Sequence, residues 1–323
     1  MPRAKEGEVL VRTKAATICM SDINDINYNP FDIKLPMIMG HEGAGVIEAV
    51  GPGVGGFSAG DEIAAHPVIP CGNCDSCKQG YAHLCDDMGH LGINIGGVFA
   101  EYFTLRADRV RKKPAGISFA AASLMEPVSV CIHAINRAGI KSGGNTLVIG
   151  DGPFGLITCK LLSKSDCGKL LLVGRHPFRM NCVDGAVTIN EKETKDIVAE
   201  ILAHTDGKGV DSAILCAGTA QAVDTAIAVL RARGTFCVFS AIKKATAVDL
   251  FRVHVKELNL CGSCNDSDCM DEALRLISAP GVDIERLITH KLPFDNWREA
   301  FRLAEFAKDE AIKVSMLFGE GTP

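Results

Sequence analysis

A short glycine-rich segment, residues 150–155, constrains the fold of this chain more than any other feature of its sequence. The segment reads Gly-Asp-Gly-Pro-Phe-Gly, follows a mostly apolar run at residues 145–149 and leads into a helical pattern at residues 154–163. In a strand–loop–helix unit of this kind, the glycines let the backbone approach a pyrophosphate at the N-terminus of the helix. The segment therefore predicts a dinucleotide site, and a plain glycine-rich turn is the alternative. The predicted cofactor contacts in this loop are Gly150, Gly152, Pro153, Phe154 and Gly155.

The pattern of apolar residues divides the chain into two parts. In residues 127–267, helical patterns alternate with short continuous runs of Leu, Val and Ile, which are typical of a parallel sheet covered on both faces. Residues 1–126 contain short strand patterns separated by turns with Gly and Pro. We predict an α/β fold, with a doubly wound parallel-sheet (Rossmann) nucleotide domain at 127–267 and a β-rich domain formed by 1–126 and 268–323. Strands are predicted at residues 8–12, 45–50, 61–65, 100–105, 145–149, 169–173, 212–215, 235–240 and 312–317, and helices at 128–138, 154–163 and 297–307.

The charge balance of the chain argues against two classes of partner. The 323 residues carry a formal net charge of −5, whereas a protein that binds nucleic acid or an anionic membrane would carry a basic excess. No run approaches the ~18 apolar residues of a membrane span, and the N-terminus lacks the apolar core of a signal peptide. We therefore expect a cytoplasmic protein whose 14 cysteines stay reduced, so that clustered cysteines bind metal.

Four cysteines follow the pattern C-x2-C-x2-C-x7-C. They are Cys71, Cys74, Cys77 and Cys85. Four thiolates from one loop can close a tetrahedron around zinc at ~2.3 Å, which leaves no open position for a substrate. The loop is rich in Gly and Asn and has too few apolar residues to order itself, so a metal would hold it together. The spacing predicts a structural zinc site, and the alternatives are a redox switch or chance clustering.

A second set of potential metal ligands is dispersed along the chain. Cys19 stands in Cys-Met-Ser-Asp, His41 and Glu42 stand in Gly-His-Glu-Gly, and Glu126 stands in Glu-Pro. A thiolate, an imidazole and a carboxylate would balance the charge of Zn²⁺ and leave an open position, as a catalytic zinc site requires. Spacing alone does not establish this site, because isolated Cys and His residues usually serve packing.

Several segments of the sequence resemble the zinc-containing medium-chain dehydrogenases. They are Gly-His-Glu-Gly-Ala-Gly at 40–45, the cysteine loop at 71–85, Gly-Val-Phe-Ala-Glu-Tyr at 97–102 and Glu-Pro-Val-Ser-Val-Cys-Ile-His-Ala at 126–134. The last segment resembles the polyol branch of the family, which includes sorbitol, xylitol and sugar-acid dehydrogenases. The resemblance implies a chaperonin-10-like fold for the β-rich catalytic domain. It also implies an NAD(P)-dependent oxidoreductase that acts on a small secondary alcohol, working as a homo-oligomer, either a dimer or a tetramer.

The resemblance further implies roles for the dispersed ligands. It places a catalytic zinc on Cys19 and His41, with Glu126 or Glu42 as the carboxylate ligand. It also places Asp22 behind His41, where its carboxylate would fix the tautomer of the ring. Two zinc ions per chain are therefore expected, one catalytic and one structural.

Ser21 is the expected proton acceptor for the alcohol. It lies two residues after Cys19, which would put its hydroxyl beside the reacting oxygen. In many relatives a His five positions after the ligand Cys ends the proton relay. This chain has Asn24 at that position, and since an amide cannot titrate, the proton must leave by another route.

The residues after the second strand of the nucleotide domain bear on the choice of cofactor. An Asp or Glu ~20 residues after the glycine loop holds the ribose hydroxyls of NAD. Aligned with the family, Gly174 takes that position, Arg175 follows it and Arg179 lies close behind. The loss of a carboxylate and the gain of a guanidinium favour a 2′-phosphate. We therefore expect NADP(H) over NAD(H), and the alternative is that Arg175 is a solvated surface charge.

Two other functions share part of this evidence. A threonine or amino-alcohol dehydrogenase would use the same metal and cofactor, although the Glu-Pro segment argues against it. A non-catalytic nucleotide-binding relative is the second alternative. The presence of Cys19, His41 and Glu126 argues against that one, because a protein without catalysis need not keep an open metal site.

Overall fold

A computed structural model describes residues 1–242 and 244–319 of the chain. These residues form two compact units. The first unit comprises Met1–Ser129 and the chain from Ser267 onward, and the second comprises Val130–Asp266. Among the described residues, no helix is both long and apolar enough to span a bilayer.

Both units contain strands and α-helices. The strands are β1 Glu8–Thr17, β2 Glu42–Val50, β3 Glu62–Ala65, β4 Val68–Ile69, β5 Gly89–His90, β6 Tyr102–Arg106, β7 Val110–Lys112, β8 Thr146–Ile149, β9 Leu170–Gly174, β10 Val187–Asn190, β11 Val210–Leu215, β12 Leu230–Val238, β13 Asn259–Gly262, β14 Ile288–Pro293 and β15 Lys313–Leu317. The α-helices are α1 Met20–Tyr28, α2 Asp75–Lys78, α3 Phe119–Ala122, α4 Met125–Ala138, α5 Pro153–Leu162, α6 Pro177–Met180, α7 Ile197–His204, α8 Ala220–Val229, α9 Leu250–Val255, α10 Met270–Ile277 and α11 Trp297–Phe306.

The first unit is built on a sheet with the strand order β14-β15-β1-β2-β3-β7, and β6 also pairs with β1. The central strand, β1, is antiparallel to β2, β6 and β15. Its residues Val9 and Val11 are fully buried in one apolar core with Ile47, Ile63 and Leu105. The middle of this sheet is therefore fixed by burial on one face and by pairing along both edges of β1.

The second unit contains a six-stranded parallel sheet with the order β10-β9-β8-β11-β12-β13. Every residue of β8, β9 and β11 is buried, as expected for strands covered by helices on both faces. Counted from β8, the order is 3-2-1-4-5-6, the arrangement of dinucleotide-binding sheets. The α/β fold class with a doubly wound sheet is therefore confirmed.

Most predicted elements are present with displaced ends. The strand predicted at residues 8–12 continues to Thr17, because the small residues Ala15 and Ala16 are buried between β2 and β15. The strand predicted at 235–240 already begins at Leu230. The helix α1 was not predicted, since its sequence Met-Ser-Asp-Ile-Asn-Asp-Ile-Asn-Tyr has few apolar residues and buries only three side chains.

Candidate metal and nucleotide sites

Three strands of the first unit bring distant residues together. The register pairs Thr17, the last residue of β1, with Glu42 at the start of β2 and with Ser315 in β15. Ile18 then donates its backbone N–H to the carbonyl of Val314 at 2.9 Å. Neighbouring strands lie ~4.8 Å apart, so the residues at these strand ends converge. They are Cys19, His41, Glu42 and Lys313.

The first three of these residues form a group of potential metal ligands. The Cys19 thiol, the His41 imidazole and the Glu42 carboxylate each offer one atom, and these atoms all lie within 4.8 Å of one another. His41 and Glu42 are buried, and Cys19 is partly exposed. Ligands of one tetrahedral zinc ion lie ~3–4 Å from each other. The group therefore fits a zinc ion after small side-chain movements.

Asp22 holds two of these ligands in place. Its Oδ1 accepts a hydrogen bond from Nδ1 of His41 at 3.0 Å, and its Oδ2 accepts one from the backbone N–H of Cys19 at 2.8 Å. The second bond belongs to a capping box, in which Cys19 is the N-cap of α1. With Nδ1 donating to Asp22, a metal that displaces the proton from Nε2 can bind the lone pair of that nitrogen.

The electrostatics of His41 follow from the same contact. Burial lowers the pKa of His41, but the charge and hydrogen bond of Asp22 outweigh burial and raise the pKa well above its ordinary value. The Oγ of Ser21, which is partly exposed, lies 3.5 Å from His41 Nε2. Ser21 is therefore beside the nitrogen that would face the metal.

A buried ion pair completes this region, and the sequence analysis did not predict it. Lys313 is 2% exposed, and its Nζ donates to Oε1 of Glu42 at 2.5 Å and to the carbonyl of Ile18 at 3.3 Å. Burial lowers the pKa of Lys313, but the charge of Glu42, followed by that of Cys19, outweighs burial and raises it. Oε2 of Glu42 receives no hydrogen bond from the residues that the structure describes. That oxygen is available to a cation.

Glu126 is the second residue of α4 and is 8% exposed. It does not belong to the group in which all ligand atoms lie within 4.8 Å of one another. Its charge nevertheless contributes to the raised pKa of Lys313, after the larger contributions of Glu42 and Cys19. Two carboxylates therefore act on the same buried cation.

The cysteine quartet forms the other group of potential metal ligands. The four Sγ atoms all lie within 4.8 Å of one another. Those of Cys74 and Cys85 are 3.8 Å apart, which is the ~3.8 Å edge of a tetrahedron with ~2.3 Å bonds to zinc. The backbone N–H groups of Asn73 and Cys74 both point at the sulfur of Cys71 and lower the pKa of this thiol to about 7. The loop therefore favours a thiolate, the form that binds metal.

The glycine loop of the second unit connects β8 to α5, and its glycines have different roles. A Cβ on Gly155 would lie 1.8 Å from the carbonyl oxygen of Gly150, so this glycine is needed for close packing of the helix on the loop. A Cβ on Gly152 would have no atom within 4 Å, so the space beside it is open. Pro153 begins α5, and Phe154 stacks on Phe239 with 5.0 Å between ring centroids. The open space at the N-terminus of α5 fits a pyrophosphate.

The predicted cofactor residues after β9 lie in different surroundings. Gly174 is the last residue of β9. The guanidinium of Arg175 donates two hydrogen bonds to Glu191, at 2.7 and 3.2 Å, and its side chain remains 47% exposed. Arg179 lies in α6 and is 7% exposed. Of the two arginines, only Arg175 is open to solvent in this structure.

Comparisons with known proteins agree with this arrangement. The family model "Alcohol dehydrogenase GroES-like domain" matches residues 5–115, and "Zinc-binding dehydrogenase" matches residues 153–279. The chain is 33% identical to D-xylulose reductase A of Aspergillus niger, with 91% of this chain and 85% of that protein covered. The chain belongs to the zinc-dependent medium-chain dehydrogenase/reductase family. The predicted family, its polyol branch and the oxidoreductase class, acting on a secondary alcohol with zinc and a nicotinamide cofactor, are confirmed.

Two further relatives bear on substrate and cofactor. L-threonine 3-dehydrogenase of Pyrococcus furiosus is 31% identical to this medium-chain dehydrogenase over 95% of this chain and 91% of its own length. A zinc-binding dehydrogenase from Sinorhizobium meliloti 1021, solved with bound NADP, superposes with a TM-score of 0.91 at 25% identity and covers 98% of this chain and 94% of its own. The family thus contains proteins named for different substrates.

The buried ion pair leads to a prediction on stability. Replacing Lys313 with Met leaves the carboxylate of Glu42 buried without its cation, so we expect the free energy of unfolding to fall by ~3–5 kcal/mol. Lys291→Met is the matched control, because Lys291 pairs with Glu285 and both side chains are more than a third exposed. That change should cost at most ~1 kcal/mol in urea unfolding. Equal losses for the two variants would contradict the role assigned to the buried pair.

The two glycines predict separable effects on folding and cofactor binding. Gly155→Ala should lower the thermal unfolding midpoint, because its Cβ would meet the carbonyl oxygen of Gly150. Gly152→Ala should leave that midpoint close to that of the unmodified protein and weaken dinucleotide binding, since its methyl group would enter the open space of the loop. Calorimetry and titration of NADPH fluorescence measure the two quantities. Unchanged binding by Gly152→Ala would exclude this space as the pyrophosphate site.

Proposed function

We propose that the chain catalyses the reversible oxidation of a secondary alcohol in a polyol, sugar acid or sugar derivative to the ketone. The observation that carries this proposal is the convergence of Cys19, His41 and the carboxylate of Glu42 within 4.8 Å, with Asp22 fixing the ring. These ligand types, drawn from three protein residues, are typical of a catalytic zinc site with an open fourth position. In this proposal residues 1–126 and 268–323 are the catalytic domain, and residues 127–267 are the nucleotide domain.

Glu126 is our proposed third zinc ligand, and Glu42 is the alternative. Cys19 and Glu126 would contribute two negative charges, which Zn²⁺ balances, while Glu42 is already balanced by Lys313 at 2.5 Å. The support for Glu42 is its membership of the group within 4.8 Å and its Oε2, which accepts no hydrogen bond from the described residues. When bound, zinc supplies Lewis-acid polarisation of the alcohol oxygen, and the nicotinamide accepts the hydride.

Ser21 is our proposed acceptor for the proton that the alcohol loses. Its Oγ lies 3.5 Å from His41 Nε2, the nitrogen left for the metal, so an oxygen held there would be within reach of the hydroxyl. Asn24 cannot carry the proton further. The hydroxyl of Ser21 must therefore pass it to water or to another hydroxyl.

A second substrate class has support from one observation. L-threonine 3-dehydrogenase of Pyrococcus furiosus is 31% identical over almost the whole chain. An amino alcohol is therefore the alternative substrate. The segment Glu-Pro-Val-Ser-Val at 126–130 supports the polyol instead.

NADP(H) is our proposed cofactor form. Gly174 removes the carboxylate that would repel a 2′-phosphate, and Arg175 offers a half-exposed guanidinium next to it. Arg179 was a second candidate, but its side chain is 7% exposed. Arg175 is therefore the arginine proposed to meet the phosphate.

The cellular setting is also part of the proposal. All fourteen cysteines, each within the described residues, are free thiols, which supports a reducing compartment such as the cytoplasm. We propose that the chain acts there as a homo-oligomer, either a dimer or a tetramer, as the resemblance to the family implies.

Metal analysis tests the two zinc sites. We expect two zinc ions per chain in the unmodified enzyme, one in Cys19→Ala and one in Cys74→Ser, because each variant removes a ligand from a different site. Cys19→Ala should also lose turnover while retaining NADPH binding. Cys264→Ser is the control, since Cys264 is exposed and belongs to neither group, and it should keep both ions.

The same measurement separates the two candidate carboxylates. Zinc occupancy should fall further in Glu126→Gln than in Glu42→Gln if Glu126 is the ligand. The reverse order would assign the ligand to Glu42. A single zinc ion in the unmodified protein, unaffected by Cys19→Ala, would favour the non-catalytic alternative.

A substrate and cofactor panel tests the reaction itself. We expect the highest kcat/KM for a polyol, sugar acid or sugar derivative with NADP, and at least a ~10-fold lower value with NAD, the loss expected when a charged contact to the 2′-phosphate is missing. Threonine and other amino alcohols are the comparison substrates. A higher kcat/KM for them would overturn the polyol proposal, and a strong preference for NAD would overturn the NADP proposal.

A further inference from the structure

Asp151, the second residue of the glycine loop, makes contacts that the predicted cofactor site does not explain. Its side chain is almost fully buried, and its Oδ2 accepts three hydrogen bonds. The donors are the backbone N–H of Arg175 at 2.8 Å, the backbone N–H of His176 at 2.6 Å and Nδ1 of His176 at 2.9 Å. One carboxylate oxygen therefore ties the glycine loop to the residues that follow β9.

The charge of Asp151 is stabilised by these donors. Burial raises the pKa of this carboxyl, but the backbone N–H groups of Arg175 and His176 outweigh burial and lower the pKa below its ordinary value. The oxygen that accepts these bonds is directed at the loop after β9. The charge on this oxygen is met there by three donors.

The space beside residue 174 explains why this residue is glycine. A Cβ built on Gly174 would lie 2.7 Å from Cβ of Asp151 and 2.8 Å from Sδ of Met180. Real Cβ atoms do not approach other atoms so closely, and Cβ of Asp151 cannot swing away without moving the loop. A side chain at 174 and the Cβ of Asp151 therefore exclude each other in this loop conformation.

Arg175 and His176, the two residues that follow β9, are both held in place by carboxylates. Arg175 is held by Glu191 through its guanidinium and by Asp151 through its backbone, and His176 is held by Asp151 at two atoms. Ribose recognition in parallel-sheet nucleotide domains occurs at this strand end. An arginine and a histidine in fixed positions there can meet a phosphate, with little conformational entropy left to lose.

We propose that Asp151 is a positioning residue that sets the dinucleotide specificity of this enzyme. It holds Arg175 and His176 in place to receive a 2′-phosphate, and it keeps residue 174 a glycine, which excludes the ribose-binding acid of NAD enzymes. This inference rests on the proposed preference for NADP(H). The preference and the role of Asp151 can fail separately in the experiment below.

The test measures dissociation constants of NADPH and NADH by fluorescence titration of the full-length, zinc-loaded enzyme. Asp151→Ala should weaken NADPH binding by about 10-fold or more, as expected for a misplaced charge-assisted contact, and should change NADH binding little. Asp151→Asn keeps an acceptor for the two backbone N–H groups and should lose less. Asp224→Ala, on the exposed face of α8 in the same unit, is the matched control and should bind both cofactors as the unmodified enzyme does.

A double-mutant cycle tests the exclusion between the two positions. Gly174→Asp alone should weaken both cofactors because its Cβ meets Asp151. Combining it with Asp151→Gly, which removes the Cβ at 151, should restore NADH binding and shift the preference toward NADH, so the two changes should be strongly non-additive. Additive effects would overturn the exclusion. Should Gly174→Asp fail to fold, the two single substitutions at Asp151 still decide the positioning role.

Three outcomes separate this inference from the proposed function. If the unmodified enzyme prefers NADPH and Asp151→Ala leaves the ratio of the two dissociation constants unchanged, the inference is wrong and the NADP proposal stands. If the unmodified enzyme prefers NADH but Asp151→Ala changes that ratio through weaker NADPH binding, the NADP proposal is wrong and the control of specificity by Asp151 stands. A selective loss of NADH binding would show that Asp151 itself reads the ribose hydroxyls, and it would overturn the positioning role.

Discussion

The register of β1 against β2 and β15 concentrates charge where these strands end, and the metal chemistry of the protein depends on it. Cys19, Glu42 and Glu126 can each carry a negative charge, and Lys313 is the cation among them. Burying a charge costs several kcal/mol unless an opposite charge lies close. A zinc ion bound among them would offset the excess of negative charge. A bound dication would therefore stabilise the negative charges that the sheet holds close together. Metal binding should contribute to folding as well as to catalysis.

The two groups of metal ligands are built in different ways, so different substitutions would separate the ligands of each group. The cysteine quartet comes from one loop, and backbone N–H groups of the same loop activate Cys71. The other group depends on strands distant in sequence, and a one-residue slip between them would turn its side chains to the opposite face. Gly45 helps to fix that register, since a Cβ there would lie 2.2 Å from the carbonyl oxygen of Arg12. A change far from the metal can therefore disperse the second group while leaving the first intact.

Sequence reasoning succeeded where the relevant contacts are local. The glycine loop and the cysteine quartet are each recognisable because spacing within one segment determines their geometry. The prediction that Cys19 and His41 share a site with Glu126 or Glu42 needed the resemblance to a family, because no local pattern relates residues so far apart. Lys313 was missed, although a single Lys in the apolar run Ile-Lys-Val-Ser-Met-Leu at 312–317 is a usable signal. A buried cation in a strand requires a buried anion, but only the sheet register shows that the anion is Glu42.

The nucleotide unit also contains a residue that the sequence pattern identifies but does not explain. The sequence analysis identified Gly174 as the position where NAD enzymes carry an acid. The structure gives a reason for the glycine, because a Cβ at this position would lie 2.7 Å from Cβ of Asp151. The carboxylate of Asp151 lies in the glycine loop, and it accepts hydrogen bonds from the backbone of Arg175 and His176. An examination of the end of β9 alone shows only that the Asp or Glu typical of NAD enzymes is missing at residue 174. The structure shows an acid in the glycine loop that contacts the residues after this strand, so we propose that cofactor preference depends on both positions together.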